Sequence, residues 1–485
     1  MLPNVKITVA EEVNLTNSTL NTFLPLAIVK TKTGPIGEEV LVKSVKAFNE
    51  TFGTPDSTTP EAFGIAQYIK NYGSAYVVRA ASSSAANGAA TIKSGNTNLI
   101  DVATVYKTDA LNGVDVSLVY DGTGKKLYIT STVNSKVITS IKENIDYSEA
   151  TAIDLENALD KVVGSFNEAQ NYFELENLFV DKTAQDSKPS AFTTLTGSVT
   201  GGVSGNTTIP DSVITDLIEN YRNTDIGIDA ILTPGFESAD VANKLASVAS
   251  DSSFIGIASI SGSTASAITA VASTYPDNSS LALYADKVYL YEDSSIEVPA
   301  CIAVLPAYIT KDKTSKWLAP AGVTRGTLST VSGLVHPFSD SDLEDLYTND
   351  VPVNGIKKIA GRGYIVWGQK TACQDTVEYE DRINVVRLIK YLTKEVYKIS
   401  YDYLFEPITE YTYNAWTLRV EAILEDIKTG HGLSEYKVIM DDTLNTEETK
   451  KLNKLIGIVR LKPLEAAEYI EINFVVTDDV EGGNA

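Results

Sequence analysis

The sequence predicts an α/β core that is interrupted by a β-rich insertion and followed by an α+β C-terminal part, with an extended arm at each end. Three observations carry this reading. Residues 23–79 run strand–helix–helix–strand, an order that indicates a sheet flanked by helices. At about residue 81 the composition changes, with the linker-like Ala81-Ser-Ser-Ser-Ala-Ala-Asn-Gly88 followed by segments of period two. From Pro210 the α/β rhythm resumes.

Residues 1–21 are polar. They carry a short alternation, Val5, Ile7 and Val9, with no turn to pair it with a neighbour in sequence, so they read as an extended arm. Phe23–Val29 is apolar and interrupted by Pro25, which predicts a strand at a sheet edge. Ser44–Phe52 and Glu61–Tyr72 read as helices, the second closed by Gly73, and Ala75–Arg79 as a strand. In the insertion, Val114–Val119 and Lys126–Ser131 flank the hairpin signal Asp121-Gly-Thr-Gly124, with one helix near 151–163. The Gly/Ser/Thr stretch Gly197–Asn206 returns the chain to its parent domain.

Beyond it, Ser212–Tyr221 and Ala239–Ala249 are predicted helices, and Gly227–Leu232 and Phe254–Ile260 predicted strands, with a turn at Thr233-Pro-Gly235. Ala282–Tyr291 and Val298–Tyr308 are expected to complete the sheet. In the last third, Tyr364–Trp367 reads as a strand, about 379–400 and 412–428 as helices, and Ile458–Lys462 as a strand. In the final alternation, Tyr469–Val476, residues Ile470, Ile472, Phe474 and Val476 share one face.

The chain has 485 residues, which at roughly 150 per domain suggests about three domains. Its net charge of −23 opposes non-specific attraction to nucleic acid or an anionic membrane. The charge is uneven. Residues 101–300 carry 11 basic and 28 acidic side chains, residues 351–400 carry 9 and 5, and residues 401–450 carry 4 and 11. Alternation of this kind suits copies that meet opposite-sign patches on their neighbours. Two cysteines cannot build a disulfide framework or a four-thiolate zinc site. The N-terminus lacks a signal-peptide layout and no run approaches 18 apolar residues, so the expectation is a soluble protein made and kept in a cytoplasm.

A search for catalytic, cofactor and metal residues assigns none. Gly122-Thr-Gly-Lys-Lys126 lacks the spacing of a phosphate loop, and there is no Gly-x-Ser-x-Gly elbow. A nucleophile–base pair would have to use His336, ahead of Pro337 in a polar loop, or His431, between two glycines past a helix end. Cys301 and Cys373 read as small buried hydrophobes. Asp441-Asp442 and Asp478-Asp479 read as solvated surface.

The long helix at 379–400 says more. Val386, Ile389, Leu392, Val396 and Ile399 form one apolar stripe, while Arg387, Lys390, Lys394 and Lys398 line the opposite face. Lys450, Lys451 and Lys454 form a smaller cluster. Against a net charge of −23 these basic ridges read in one of two ways, as solubilising faces or as docking surfaces for an acidic partner or another copy.

An ordered series of motifs resembles the contractile-tail sheath proteins of bacteriophages and related contractile injection particles. It begins with Gly34-Pro35, Val45-Lys-Ala-Phe-Asn-Glu-Thr-Phe-Gly53, Tyr68-Ile-Lys-Asn-Tyr-Gly73 and Ala75-Tyr-Val-Val-Arg79. Leu232-Thr-Pro-Gly235, Val298-Pro-Ala-Cys-Ile-Ala-Val-Leu-Pro306 and Trp317-Leu-Ala-Pro-Ala321 follow. Val353-Asn-Gly-Ile356, Gly363-Tyr-Ile-Val-Trp-Gly-Gln-Lys-Thr371, Ile383-Asn-Val-Val-Arg-Leu388, Phe405-Glu-Pro407 and Trp416 complete it. The chain departs from the family pattern at Gly322, where Asn is usual, at Val386, where the family has a second Arg, and at Lys370, where it has Arg.

The resemblance implies an α/β core like subtilisin in fold but without a catalytic triad, a β-sandwich-like insertion that faces outward, and an α+β C-terminal sheath domain. Mapped onto this chain, 1–21 is the N-terminal arm, 22–89 and 197–339 the α/β domain, 90–196 the insertion, 340–468 the C-terminal domain, and 469–485 the C-terminal strand and arm. It further implies a structural subunit, not an enzyme, that stacks as hexameric rings around an inner tail tube and contracts from a metastable extended state. Its partners would be itself, the tube protein, and baseplate and tail terminator proteins, with no cofactor, nucleic acid or membrane insertion. It would be assembled in a host bacterial cytoplasm and reside in the virion. Strand exchange between subunits falls to Val5, Ile7, Val9, Ile470, Ile472, Phe474 and Val476. Charge contact with the tube or a neighbour falls to Arg387, Lys390, Lys394, Lys398, Lys450, Lys451 and Lys454. Two other classes would use the same core: a self-assembling surface or adhesin subunit, and an α/β hydrolase with a nucleophile beside His336 or His431.

Overall fold

A computed structural model describes residues 23–222, 224, 226–309, 316–374 and 379–469. These divide into two compact units, one of residues 23–309 and 320–386, the other of residues 316–319 and 387–469. The predicted arm residues Val5, Ile7, Val9, Ile470, Ile472, Phe474 and Val476 lie outside the described residues.

The first unit opens with strand β1 (Pro25–Val29), β2 (Glu39–Val42), helices α1 (Val45–Phe52) and α2 (Pro60–Tyr72), and β3 (Ala75–Arg79). Ser44 caps α1 by accepting from the Ala47 amide at 3.1 Å, and Pro60 starts α2, where its missing N–H costs nothing. After the insertion come α4 (Asp211–Glu219), β12 (Ala230–Leu232), α5 (Ala239–Ser250), β13 (Ile255–Ile260), α6 (Ala265–Ala272) and β14 (Leu281–Ala285). The sheet order is β14-β13-β12-β1-β3-β2, parallel except for the antiparallel edge strand β2.

The strand containing Pro25 is therefore central, not an edge. Pro25 is its first residue, and the amide before it, that of Leu24, donates to Asp229 Oδ2 at 2.8 Å. Both faces of the sheet are covered. Ala27 and Val29 face the core shared with α1 and α2, and Leu26 and Ile28 the core shared with α4, α5 and α6. Burial on both sides explains why these strands read as unbroken apolar runs.

Two predictions fail beyond β14. Ala282–Tyr291 is not one strand: Asp286, at φ 63°, breaks it, and β15 (Lys287–Leu290) turns away to pair with β16 (Glu297–Pro299) and β17 (Val331–Leu334). Val298–Tyr308 is mostly helical, forming α7 (Ala300–Ala303) and α8 (Leu305–Tyr308). Pro299 and Pro306 sit at the starts of these turns, and Cys301 and Tyr308 are fully buried. Apolar content without a period cannot separate a buried strand from a buried helix. The unit ends with α9 (Gly322–Arg325), α10 (Asp340–Thr348), β18 (Gly355–Ile359), β19 (Gly363–Trp367) and the first residues of α11 (Ile383–Tyr401), which begins later than expected.

The insertion holds two sheets and one helix around a single core. β4 (Ala89–Ser94), β5 (Thr97–Thr104) and β10 (Phe173–Asn177) form one sheet. β6 (Asp115–Asp121), β7 (Lys126–Val133), β8 (Lys136–Thr139), β9 (Glu143–Asn144) and β11 (Thr194–Ser198) form the other. Helix α3 (Ala152–Glu168) carries a capping box between Thr151 and Asp154 and buries Leu155, Leu159, Val162 and Phe166 in that core.

The insertion is clamped to its parent domain. Arg79, fully buried, donates to the Gly34 carbonyl at 2.8 Å and the Ser204 carbonyl at 2.7 Å. Thr108 Oγ1 donates to the Lys32 carbonyl at 2.6 Å, and Asn112 pairs with both backbone groups of Gly202. A Cβ on Gly202 would lie 2.0 Å from the Thr108 carbonyl oxygen. Gly202→Ala should therefore destabilise this unit by about 2–3 kcal/mol, read as a lower denaturant midpoint with unchanged slope.

In the second unit, Leu388, Leu392 and Ile399 of α11 meet Trp416, Val420, Leu424 and Ile427 of α12 (Glu410–Thr429), with Trp317 and Leu433 closing the core. Trp416 Nε1 donates to Ser400 Oγ and Trp317 Nε1 to the Gly430 carbonyl, both at 2.9 Å. The unit finishes with β20 (Leu433–Ile439), α13 (Glu447–Lys451) and β21 (Ile458–Pro463), and β20 and β21 pair antiparallel.

Candidate assembly surfaces

The residues that could have made an active site are used otherwise. Burial pushes the Cys301 thiol up to about 12, which removes it as a nucleophile. His336 meets Asp286 at 2.8 Å through Nδ1, and its backbone N–H donates to the same carboxylate oxygen at 3.1 Å. Asp286 holds the break between β14 and β15 in place, so this pair staples a turn. His431 takes the left-handed position after α12, at φ 60°, and the Gly432 amide closes the helix end on the Ile427 carbonyl at 2.8 Å. Gly122–Lys126 is the β6–β7 hairpin turn, with Asp121 Oδ1 accepting from the amides of Thr123 and Gly124 at 3.1 Å. Asp441 closes a local turn by accepting from the Thr443 amide at 3.0 Å, and Asp442 pairs with Lys450.

The second unit carries the surfaces of interest. On α11, Val386, Leu392 and Ile399 of the predicted stripe are buried and Ile389 and Val396 half-buried; Leu388, outside the stripe, is buried too. Of the predicted basic ridge, Arg387, Lys390 and Lys394 are half-buried, while Lys398 is exposed and pairs with Glu395 at 2.9 Å. On and after α13, Lys450 pairs with Asp442 at 3.1 Å and Glu447 at 3.5 Å, whereas Lys451 and Lys454 are exposed. The two clusters thus contain cations already tied to carboxylates of their own unit: Glu395–Lys398 and Glu447–Lys450 are three-residue spacings on a helix, whereas Asp442–Lys450 is brought together by the fold.

Of the β20–β21 ribbon only β21 is among the predicted strands; the alternation Glu435-Tyr-Lys-Val438 is the signal that marks β20. Tyr436, Val438, Val459 and Leu461 turn toward the helices, and Glu435, Lys437, Arg460 and Lys462 face out. Among the described residues neither strand has a second strand beside it, so each presents an open row of backbone donors and acceptors. The ribbon is held by packing of its inner face against the helices, which leaves its strand edges open for further strands. Exposed apolar side chains also gather in this unit, including Tyr397, Tyr401, Leu404, Phe405, Tyr411 and Leu418; Phe405 is 99% exposed. Such a concentration marks an interaction surface.

No family model matches the chain. The tail sheath protein of Vibrio phage KVP40 is 31% identical over 189 residues, 39% of this chain and 28% of that protein. The tail sheath protein of Enterobacteria phage T4 is 29% identical over 188 residues, again 39% and 28%. The matched stretch therefore spans less than a third of the length of these relatives. Among solved structures, a sheath tail protein from Listeria innocua superposes with a TM-score of 0.60 at 10% identity, covering 92% of each chain. The sheath complex of an extracellular contractile injection system in its contracted state gives 0.57 at 13% identity, covering 99% of this chain and 98% of that one. The chain is thus similar to phage tail sheath proteins in part of its sequence and shares, over nearly its whole length, the mixed α/β fold of sheath proteins from contractile systems.

Proposed function

We propose that this chain is a structural subunit of a contractile tail sheath, stacking as hexameric rings around an inner tube and contracting from a metastable extended state to drive that tube through a bacterial envelope. The observation that carries the proposal is the sequence likeness to two phage tail sheath proteins, joined to a sheath fold over more than nine-tenths of the chain. In this reading the three-layer α/β core is subtilisin-like in fold only, and the insertion faces outward. The terminal arms add strands to the open edges of β20 and β21 on neighbouring copies, where main-chain hydrogen bonds supply affinity and alternate side chains supply register. Contraction needs no nucleotide: bodies joined by donated strands move to a packing with better contacts while staying connected. Baseplate, tail terminator and tube proteins are the further partners, and the virion tail is the site of action after assembly in the host cytoplasm.

Electron microscopy of the purified full chain tests this. Hollow tubes of stacked rings are expected on concentration. A chain that stays monomeric, both alone and with a tail tube protein, overturns the proposal.

A further inference from the structure

We propose that the cavity between the insertion and the carboxyl end of the β1–β3 pair binds a neutral saccharide. The cavity has a volume of about 580 Å³, within the range of small-molecule sites. One wall comes from the parent domain: Lys32 and Thr33 just beyond β1, the end of α1 from Asn49, and the return loop at Ser204–Thr207. The other comes from the insertion, through Tyr106, Asp109 and Tyr172. In open α/β sheets the crevice outside the carboxyl ends of the strands is where ligands settle. The walls are held firmly. Arg79, at the end of β3, grips the carbonyls of Gly34 and Ser204, Thr108 grips Lys32, and Asn206 Nδ2 donates to the Thr31 carbonyl at 3.0 Å.

The lining chooses the chemistry. Its charges are Lys32, already bound to Asp56 at 2.5 Å, against the carboxylates Glu50 and Asp109. That balance offers no field for phosphate or another anion. Amides, hydroxyls and carboxylates line the walls together with Leu111 and two half-buried tyrosines, a mixture of polar and apolar surface that suits an amphipathic, uncharged ligand. Asn49, Asn171 and Asn206 stand in the wall, side-chain amides of a kind that gives and accepts hydrogen bonds with hydroxyl groups. A sugar ring matches this set: its C–H face packs on an aromatic ring and its hydroxyls serve carboxylates and amides.

The test titrates the full chain with glucose, galactose, rhamnose and N-acetylglucosamine, and with inorganic phosphate, following saturation transfer by NMR and heat by calorimetry. At least one sugar is expected to saturate with a dissociation constant below about 10 mM, and phosphate is not. Tyr172→Ala should weaken that sugar at least tenfold. If it fails to fold, Asp109→Asn, at an exposed carboxylate of the wall, should weaken it several-fold with unchanged thermal unfolding. Saturation by phosphate alone, binding by no sugar, or sugar binding that survives in a folded variant overturns the proposal.

Discussion

Removing residues 470–485 is expected to leave a folded monomer that no longer forms tubes, with thermal unfolding unchanged and a single slow boundary in sedimentation at concentrations where the full chain polymerises. The apolar alternation Ile470, Ile472, Phe474 and Val476 is the reason. Laid against an open strand of the β20–β21 ribbon, such a segment forms several main-chain hydrogen bonds, each worth a net ~0.5–1.5 kcal/mol. It also buries up to four large side chains, at ~1.5–3 kcal/mol each when burial is complete. Ordering the arm and fixing two bodies together takes back much of this gross gain, so about 5 kcal/mol per contact is a fair net figure. Losing it weakens each contact by roughly a thousandfold or more, and a polymer with several contacts per subunit does not survive that. Ordered tubes from the truncated chain would remove the strand-exchange role from these residues. Among the described residues both units already bury continuous apolar cores, so the monomer itself should stay folded.

Much of the frame can be read from local signals. α1 follows from Ser44 and the pair Phe48 and Phe52; α11 follows from its apolar stripe; the β6–β7 hairpin follows from Asp121-Gly-Thr-Gly124. In each case the determinants lie within about one element of each other. Where determinants are distant, the sequence is silent. That Pro25 opens a central strand depends on Asp229, some two hundred residues away, receiving the neighbouring amide. The break at Asp286 depends on His336, and the helical state of Ala300–Tyr308 depends on burial from every side.

The candidate surfaces divide in the same way. The cations of α11 are legible by spacing, and so is the pairing of Lys398 with Glu395 three residues before it, whereas the pairing of Lys450 with Asp442 comes only with the fold. β20 carries a legible signal, Glu435 and Lys437 alternating with Tyr436 and Val438, a run of period two that marks a strand with one face out and one face in. The cavity at Lys32, Tyr106 and Asn206 joins segments far apart in the chain, none of which carries a motif.

Reversing Lys390, Lys394 and Lys398 together to Glu is expected to abolish the extended tube at low salt. Lys390 and Lys394 are half-buried and Lys398 exposed, and residues 351–400 carry 9 basic against 5 acidic side chains in a chain of net charge −23. Opposite charges at about 4 Å attract by roughly 1–4 kcal/mol between the bulk-water and surface limits, and reversal turns each attraction into repulsion. At Lys398 the cost within the monomer is small: exchanging it against Glu395 on one helix forfeits about 0.3–0.5 kcal/mol. A Gln triple variant separates charge from packing. It removes attraction without adding repulsion and should assemble more weakly than the parent but better than the Glu variant. Salt supplies the second discriminator. At about 1 M the Debye length falls to roughly 3 Å, so tubes lost through repulsion should partly return, whereas tubes lost through a damaged helix should not. Full assembly of the Glu variant at low salt would show that this face meets solvent in the tube, and the charge contact would then have to be sought at the exposed Lys451 and Lys454.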